Sequence, residues 1–137
     1  MITTRHKEKS LSALRDELDG LVSLYVRLNA ADVYGIIVCI SCEDQVWWKE
    51  AECCHYKDRE HMGTRFYLPN LAAGCHNCNC FEKESHIEAW EKKLTALQID
   101  DLNHRSRSLM KWTKYELTEM IEDYKTKVSE LKKLKGL

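Results

Sequence analysis

The feature that most constrains this chain is a pair of Cys-x-x-Cys motifs, Cys39 to Cys42 and Cys75 to Cys78, with 32 residues between them. Such a turn presents two sulfur atoms to one ion, and two turns supply the four thiolates of a tetrahedral zinc site. The gap is longer than in a zinc ribbon and is compatible with a treble-clef arrangement. We therefore predict one structural zinc ion bound by these four cysteines; the alternatives are a redox-active motif or separately buried thiols.

The total number of cysteines bears on the cellular compartment of the protein. Seven cysteines occur in 137 residues, and Cys53, Cys54 and Cys80 lie outside the two motifs. An odd number of cysteines, after a polar N-terminus without a signal peptide's apolar core, argues against the disulfide framework of a secreted protein. No apolar run approaches the roughly 20 residues of a membrane span. We expect a reduced, cytoplasmic protein without a membrane segment, in which one of the three extra cysteines could replace a zinc ligand.

A chain of 137 residues suits one domain, and its N-terminal part, residues 1–32, has the pattern of one long amphipathic helix. Apolar side chains recur there at alternating spacings of three and four residues, as in a heptad stripe. The stripe consists of Leu11, Leu14, Leu18, Leu21, Tyr25 and Leu28. It either packs inside the domain or forms a two-fold seam with a second copy, and both alternatives stay open.

The predicted core, residues 33–84, begins with β-like runs at 36–38 and 46–48, which indicate a small β-hairpin. The C-terminal part, residues 85–137, carries two capping boxes, Ser85 with Glu88 and Thr113 with Glu116. These boxes predict helices over about 85–98 and 113–134. The fold class is thus mainly α, with a small hairpin in a zinc-stapled core between long terminal helices.

Several short runs resemble one protein family, the phage NinG/Rap recombination proteins. These runs are Cys39 to Cys42, Cys54-His55-Tyr56, Arg65-Phe66 with Asn70, and Cys75 to Cys78 followed by Asn79. Residues 21–34 and the helix after Trp112-Thr113 extend the resemblance over most of the chain. It implies an HNH-like ββα-metal nuclease of treble-clef type, related in plan to phage recombination endonuclease VII. The implied substrates are branched DNAs such as Holliday junctions and D-loops, in the cytoplasm of a phage-infected bacterium.

The resemblance also implies roles for individual residues. Phosphodiester hydrolysis needs a base that activates water and a Mg²⁺ ion that neutralises developing charge. His55 is the candidate base, Asn79 is a candidate Mg²⁺ ligand, and Asn70 orients the hairpin that carries His55. Glu52, the nearest acidic residue, is a second candidate Mg²⁺ ligand, directly or through water. Cys54 stands before His55 where many ββα-metal nucleases have an Asp or His ligand, and a thiol is a poor Mg²⁺ ligand.

Each role has a structural alternative. His55 could be a zinc ligand or a buried structural histidine, and Asn79 could cap a helix. Asn70 follows a proline, as turn residues do, and Glu52 could simply face solvent.

The chain has a formal net charge of −1, so DNA binding would depend on local basic patches. The candidate phosphate contacts are Lys57, Arg59, Arg65, Arg105 and Arg107. Because a four-way junction is two-fold symmetric, we expect a homodimer. The alternatives to an endonuclease are a non-catalytic zinc-stabilised DNA-binding module and a protein-interaction adaptor.

Overall fold

Helices make up most of the chain, and two small antiparallel hairpins lie between them. The computed structural model describes residues 8–137. Its elements are α1 (Leu11–Ala30), β1 (Ile36–Val38), β2 (Gln45–Trp47), β3 (Glu52–His55), β4 (Leu71–Gly74), α2 (His76–Phe81), α3 (Lys83–Glu91), α4 (Ala96–Ser106) and α5 (Lys114–Lys135). The mainly α class is confirmed, with two hairpins where we predicted one. None of the described helices combines the length and the apolar character that crossing a membrane requires.

The long N-terminal helix is confirmed as α1, and residues 1–7 of the predicted segment lie outside the described residues. Ser10 caps it, because the Ser10 Oγ accepts a hydrogen bond from the Ala13 N–H at 3.1 Å. Its buried face is wider than the predicted stripe. Val22 and Val26 join the core, whereas Leu11 is 37% exposed.

This wide buried face exists because α1 packs against two partners within the same chain, α5 on one side and the β3–β4 hairpin on the other. Tyr25 and Tyr124 meet edge to face between α1 and α5, with ring centroids 5.4 Å apart. α5 begins at the predicted capping box, in which Thr113 and Glu116 cap each other. Of the two alternatives for the heptad stripe, the structure shows intramolecular packing.

Lys135, at the end of α5, caps the end of α1. Its Nζ donates hydrogen bonds to the backbone carbonyls of Leu28, Asn29 and Ala31, at 2.7, 2.9 and 2.6 Å. The last carbonyls of a helix have no partner within the helix, and a cation there also complements the helix dipole.

We expect Lys135→Met, which keeps the aliphatic stem, to lower the free energy of unfolding by about 1–3 kcal/mol, because hydrogen bonds to a charged donor are lost. Urea denaturation measures this value. Lys133→Met, at an exposed position two residues earlier, is the matched control. Equal stability of the two variants would show that the Lys135 contacts contribute nothing.

The prediction of a single middle helix over 85–98 is wrong. The chain forms α3 and then α4, and Ser85 lies inside the first turn of α3, where its Oγ donates to the Glu82 carbonyl. The actual capping box is Thr95 with Gln98 at the start of α4. Thr95 has an extended backbone, and its side chain accepts a hydrogen bond from the Gln98 N–H. A new helix therefore starts at a position that the prediction placed inside one continuous helix. One helix over 85–98 would place Leu97 on the same apolar face as Trp90 and Leu94, but Leu97 is 81% exposed.

The two hairpins position the sequence motifs. Ile36–Val38 pairs with Gln45–Trp47, as the β-like runs predicted. In the second hairpin Glu52 lies opposite Gly74, and His55 lies opposite Leu71. α2 follows β4 directly and packs against β3. The order β3, β4, α2 therefore places one strand pair beneath one short helix.

Candidate metal centre and catalytic cleft

The four predicted cysteine ligands converge at one place. Cys39 follows β1, Cys42 lies in the turn before β2, and the second pair spans the start of α2. Their four Sγ atoms lie within 4.8 Å of one another. The Cys42 and Cys75 Sγ atoms are 3.8 Å apart, which matches the S···S separation of about 3.8 Å that follows from tetrahedral geometry with Zn–S bonds of about 2.3 Å.

The backbone around this cluster favours a thiolate at Cys39 in particular, whereas burial and the neighbouring sulfurs raise the pKa of Cys78. The Cys39 Sγ accepts hydrogen bonds from the Ser41 N–H at 3.5 Å and the Cys75 N–H at 3.3 Å. Burial raises the pKa of Cys39, but these backbone N–H groups outweigh it and lower the pKa to about 7. The Cys75 Sγ accepts from the Cys78 N–H at 3.4 Å at the start of α2. This donor set fits a zinc ion, so the cluster could hold one.

Gly74, the residue before Cys75, leaves room for the sulfur atoms of Cys54 and Cys39. A Cβ added at Gly74 would lie 2.7 Å from the Cys54 Sγ and 3.6 Å from the Cys39 Sγ, so no larger residue fits without movement. Cys54 is completely buried here, and burial raises its pKa strongly. Cys54 therefore packs as a neutral thiol beside Cys39, separate from the four-sulfur cluster.

His55, at the end of β3, lines a cleft that is also lined by Arg59, Asn79 and Lys83. Burial lowers the pKa of His55, and the positive charge of Arg59 lowers it further; Asp19 acts in the opposite sense. The imidazole is thus neutral at neutral pH, which is the form that can accept a proton. His55 is not among the residues of the four-sulfur cluster.

Asn70 is completely buried and holds the segment after His55 in place. Its Oδ1 accepts a hydrogen bond from the Lys57 N–H at 2.8 Å, and its Nδ2 donates to the Lys57 carbonyl at 2.9 Å and the Thr64 carbonyl at 3.1 Å. The Asn70 carbonyl also accepts from the Tyr56 N–H at 2.9 Å. One side chain therefore fixes both ends of the loop that leaves β3 beside His55.

Glu52 and Asn79 contact each other across β3 and α2. The Asn79 Nδ2 donates to the Glu52 Oε1 at 2.8 Å, and the Glu52 Oε2 contacts the His76 Nδ1. Burial acts to raise the pKa of Glu52, but the hydrogen bonds from Asn79 and His76 outweigh it, so its pKa is lowered and the group is a carboxylate. The structure thus brings both candidate Mg²⁺ ligands together, next to the helix that carries the second cysteine pair.

The candidate phosphate contacts do not form one group. Arg59 is exposed at the cleft. Arg65 instead forms a two-bond ion pair with Asp19 of α1, at 3.1 and 2.6 Å. Arg105, near the end of α4, lies over the Tyr67 ring at 4.0 Å and pairs with Asp101 through its Nε at 3.0 Å, but its side chain stays 46% exposed. Arg65 therefore connects the loop to α1, whereas Lys57, Arg59, Arg105 and Arg107 keep accessible cationic groups.

Sequence reasoning missed several residues of the cleft. Lys83 and His86, in the first half of α3, line it. The capping-box pattern at Ser85 predicted a helix in this region but gave no indication that these two residues face the cleft. His86 is 4% exposed, and its Nδ1 contacts the Ser41 Oγ between the two cysteines of the first motif. For Cys80, which also lines the cleft, the sequence did carry a signal: it stands four residues after His76 on α2, the helix that begins inside the second motif, and such residues share one helix face.

Fold and site together define a mainly helical protein in which a four-cysteine cluster that could hold zinc lies beside a histidine-containing cleft. The family model of the bacteriophage lambda NinG protein matches residues 3–135, so the chain belongs to the NinG family, whose members are phage recombination proteins. The resemblance described above is thereby confirmed at the level of the family. No curated protein and no solved structure was found to match this chain.

Proposed function

We propose that this NinG-family protein is a Mg²⁺-dependent, structure-specific endonuclease that cuts branched DNA during phage recombination in the host cytoplasm. The observation that carries the proposal is the placement of His55 and Asn79 in one cleft, on the strand and helix of a consecutive β3, β4, α2 unit. This order is the one that a ββα-metal nuclease requires. The adjoining sulfur cluster supports a treble-clef description of the same unit.

The proposed reaction is the hydrolysis of a phosphodiester. His55, kept neutral by burial and by Arg59, takes a proton from water while the water oxygen forms a bond to phosphorus. The bond from phosphorus to the leaving oxygen then breaks, and that oxygen is protonated from solvent. Asn79 and Glu52 are the proposed ligands of a Mg²⁺ ion, which when bound neutralises charge on the phosphate and on the leaving oxygen.

A zinc ion held by the four cysteines has a positioning role in this proposal. Cys78 lies one residue before Asn79 on α2, and Cys75 begins the same helix. A short helix of six residues has little stability of its own. Fixing two of its residues to the β1–β2 hairpin through one ion therefore fixes Asn79 relative to His55 on β3.

DNA binding is proposed to use Lys57 and Arg59 near the cleft, with Arg105 and Arg107 at the C-terminal end of α4 as a separate set of contacts. Arg65 is left out of this surface because Asp19 occupies its guanidinium group. A homodimer would bring two clefts to the paired strands of a symmetric junction. Since the buried stripes of α1 and α5 face each other within one chain, such a dimer would use a different surface.

We expect the protein to nick a synthetic four-way junction only when Mg²⁺ is supplied, and to bind that junction more tightly than a linear duplex of the same sequence. Affinity should fall as salt rises, because phosphate contacts displace counterions. In the control reaction, Mg²⁺ is left out of the buffer and no chelator is added, so that any metal bound by the cysteines stays in place. Gel electrophoresis of end-labelled strands measures both binding and cleavage.

The possible results separate the three candidate functions. Tight junction binding without nicking at any Mg²⁺ concentration would favour a non-catalytic DNA-binding module. Failure to bind branched DNA at low salt would favour a protein-interaction adaptor. Nicking of linear duplex at the same rate would contradict junction specificity but not nuclease activity.

A further inference from the structure

A second group of metal-binding side chains lies outside the four-cysteine cluster. Glu52, His76 and Cys80 place a carboxylate oxygen, an imidazole nitrogen and a thiol sulfur within 4.8 Å of one another. None of these three residues belongs to the first cluster, and none has a role as a zinc ligand in the proposal above. His76 and Cys80 are exposed, so an ion from solution can reach the group.

The local fold brings these three side chains together. His76 and Cys80 are four residues apart on α2, so both point from the same face of the helix. Glu52 is the first residue of β3, opposite Gly74, beneath that face. α2 packs against β3, and β3 is held by its pairing with β4. The three donors thus come from two elements that already contact each other.

Two of the three distances between the donor atoms fit a tetrahedral ion. The Cys80 Sγ lies 3.5 Å from the His76 Nδ1 and 3.6 Å from the Glu52 Oε1. A tetrahedral zinc with a sulfur bond of about 2.3 Å and a nitrogen or oxygen bond of about 2.1 Å has edges of about 3.6 Å between those ligands. The third pair, the His76 Nδ1 and the Glu52 Oε2, is in direct contact, and these two atoms would move apart to about 3.4 Å to admit an ion.

The donor types select the class of metal. Sulfur and imidazole nitrogen favour zinc and similar borderline transition metals, whereas Mg²⁺ prefers oxygen alone. Three protein ligands with an open fourth position are typical of accessible zinc sites, unlike the closed four-cysteine type. Asn79 donates to the Glu52 Oε1 at 2.8 Å, which is the kind of outer hydrogen bond that orients a ligating carboxylate.

We propose that Glu52, His76 and Cys80 bind a second divalent ion of the zinc class, with its fourth coordination position open to solvent. A fully loaded chain then holds two such ions. One lies in the closed four-cysteine site, and the other lies in the solvent-accessible site and can exchange with solution. Because Cys80 and Asn79 also line the cleft with His55, the exchangeable ion lies at the edge of that cleft. This assignment does not depend on nuclease activity, since metal binding alone tests it.

The test uses the full, reduced protein carrying one zinc ion per chain, titrated with Co²⁺. Cobalt in a tetrahedral site with a thiolate ligand gives visible d–d bands and a sulfur-to-metal charge-transfer band. Zinc released during the titration is measured with a chromogenic indicator, which separates binding at a second site from displacement of the first ion. We expect one cobalt ion per chain to bind with these bands and without zinc release.

Variants assign the ligands. Cys80→Ser should abolish the charge-transfer band, and His76→Ala should weaken cobalt binding at least about tenfold, while both keep the first zinc ion. His104→Ala, an exposed histidine on α4 outside the group, should behave as the wild type and is the matched control. The proposal is overturned if the zinc-loaded wild type binds no second ion, or if Cys80→Ser and His76→Ala leave its spectrum and affinity unchanged.

Discussion

Cys75→Ser is expected to unfold the centre of the protein. Structural zinc in such sites supplies about 10–16 kcal/mol of apparent binding free energy, whereas the whole stability of a domain is about 5–15 kcal/mol. Cys75 provides one sulfur of the cluster and also accepts the Cys78 N–H at the start of α2. A serine at this position can still cap α2 through its hydroxyl, so the substitution removes the ion ligand and leaves the helix cap in place.

The measurement combines metal content with local protection. Elemental analysis should find about one tightly bound zinc ion per wild-type chain and none in Cys75→Ser. Hydrogen exchange should show protection lost over residues 36–81 of the variant. Cys80→Ser, an exposed cysteine outside the four-sulfur cluster, is the matched control and should keep that zinc ion and its protection. A wild type that contains no zinc and stays folded after strong chelation would refute the structural role of the metal.

The sequence predicted the sulfur cluster and the terminal helices because their signals are local. A Cys-x-x-Cys turn brings its own two sulfurs together, so only the meeting of the two turns depended on the fold. The capping box at Thr113 likewise lies within one turn of chain. By contrast, the capping box predicted at Ser85 does not form although its spacing is correct, because α3 begins at Lys83 and the Ser85 Oγ donates to the Glu82 carbonyl inside that helix.

Contacts between distant residues could not be predicted from patterns along the chain. Arg65 had the appearance of a free cation in the sequence, but the fold places Asp19 of α1 beside it, with both side chains 13% exposed. His86 reaches Ser41 across 45 positions of sequence. The buried face of α1 is also wider than the periodicity of its own sequence predicts, because the β3–β4 hairpin packs against it as a second partner.

Glu52 connects the two metal proposals. Its carboxylate meets Asn79 through one oxygen and His76 through the other. With Asn79 it offers the oxygen donors that suit Mg²⁺, and with His76 and Cys80 it offers a mixed set that suits zinc. A carboxylate that bridged both ions would share its negative charge between them, so an ion at the exchangeable site should weaken the binding of Mg²⁺ by Glu52. Only the first of these uses was predicted from the sequence.

His55→Ala is expected to lower junction cleavage by roughly 10²–10⁴-fold, the usual contribution of a positioned base, while fold, zinc content and junction affinity stay unchanged. The wild-type rate should fall as acidification protonates His55, at a pH below the ordinary histidine pKa, because burial and Arg59 lower this value. Single-turnover cleavage at saturating protein measures the chemical step, and His104→Ala is the control. Loss of zinc or unfolding in His55→Ala would make the histidine structural, and an unchanged rate would place the base elsewhere.

Asn79→Ala should also cleave slowly, but added Mg²⁺ or Mn²⁺ should restore part of its rate. Weakening a metal ligand raises the metal concentration that is needed, whereas deleting a base does not. His55→Ala should therefore stay slow at every metal concentration. Because Asn79 also contacts Glu52, Glu52→Gln should show the same metal dependence in a weaker form. If all three variants respond to metal alike, His55 acts through the metal site and is not the base.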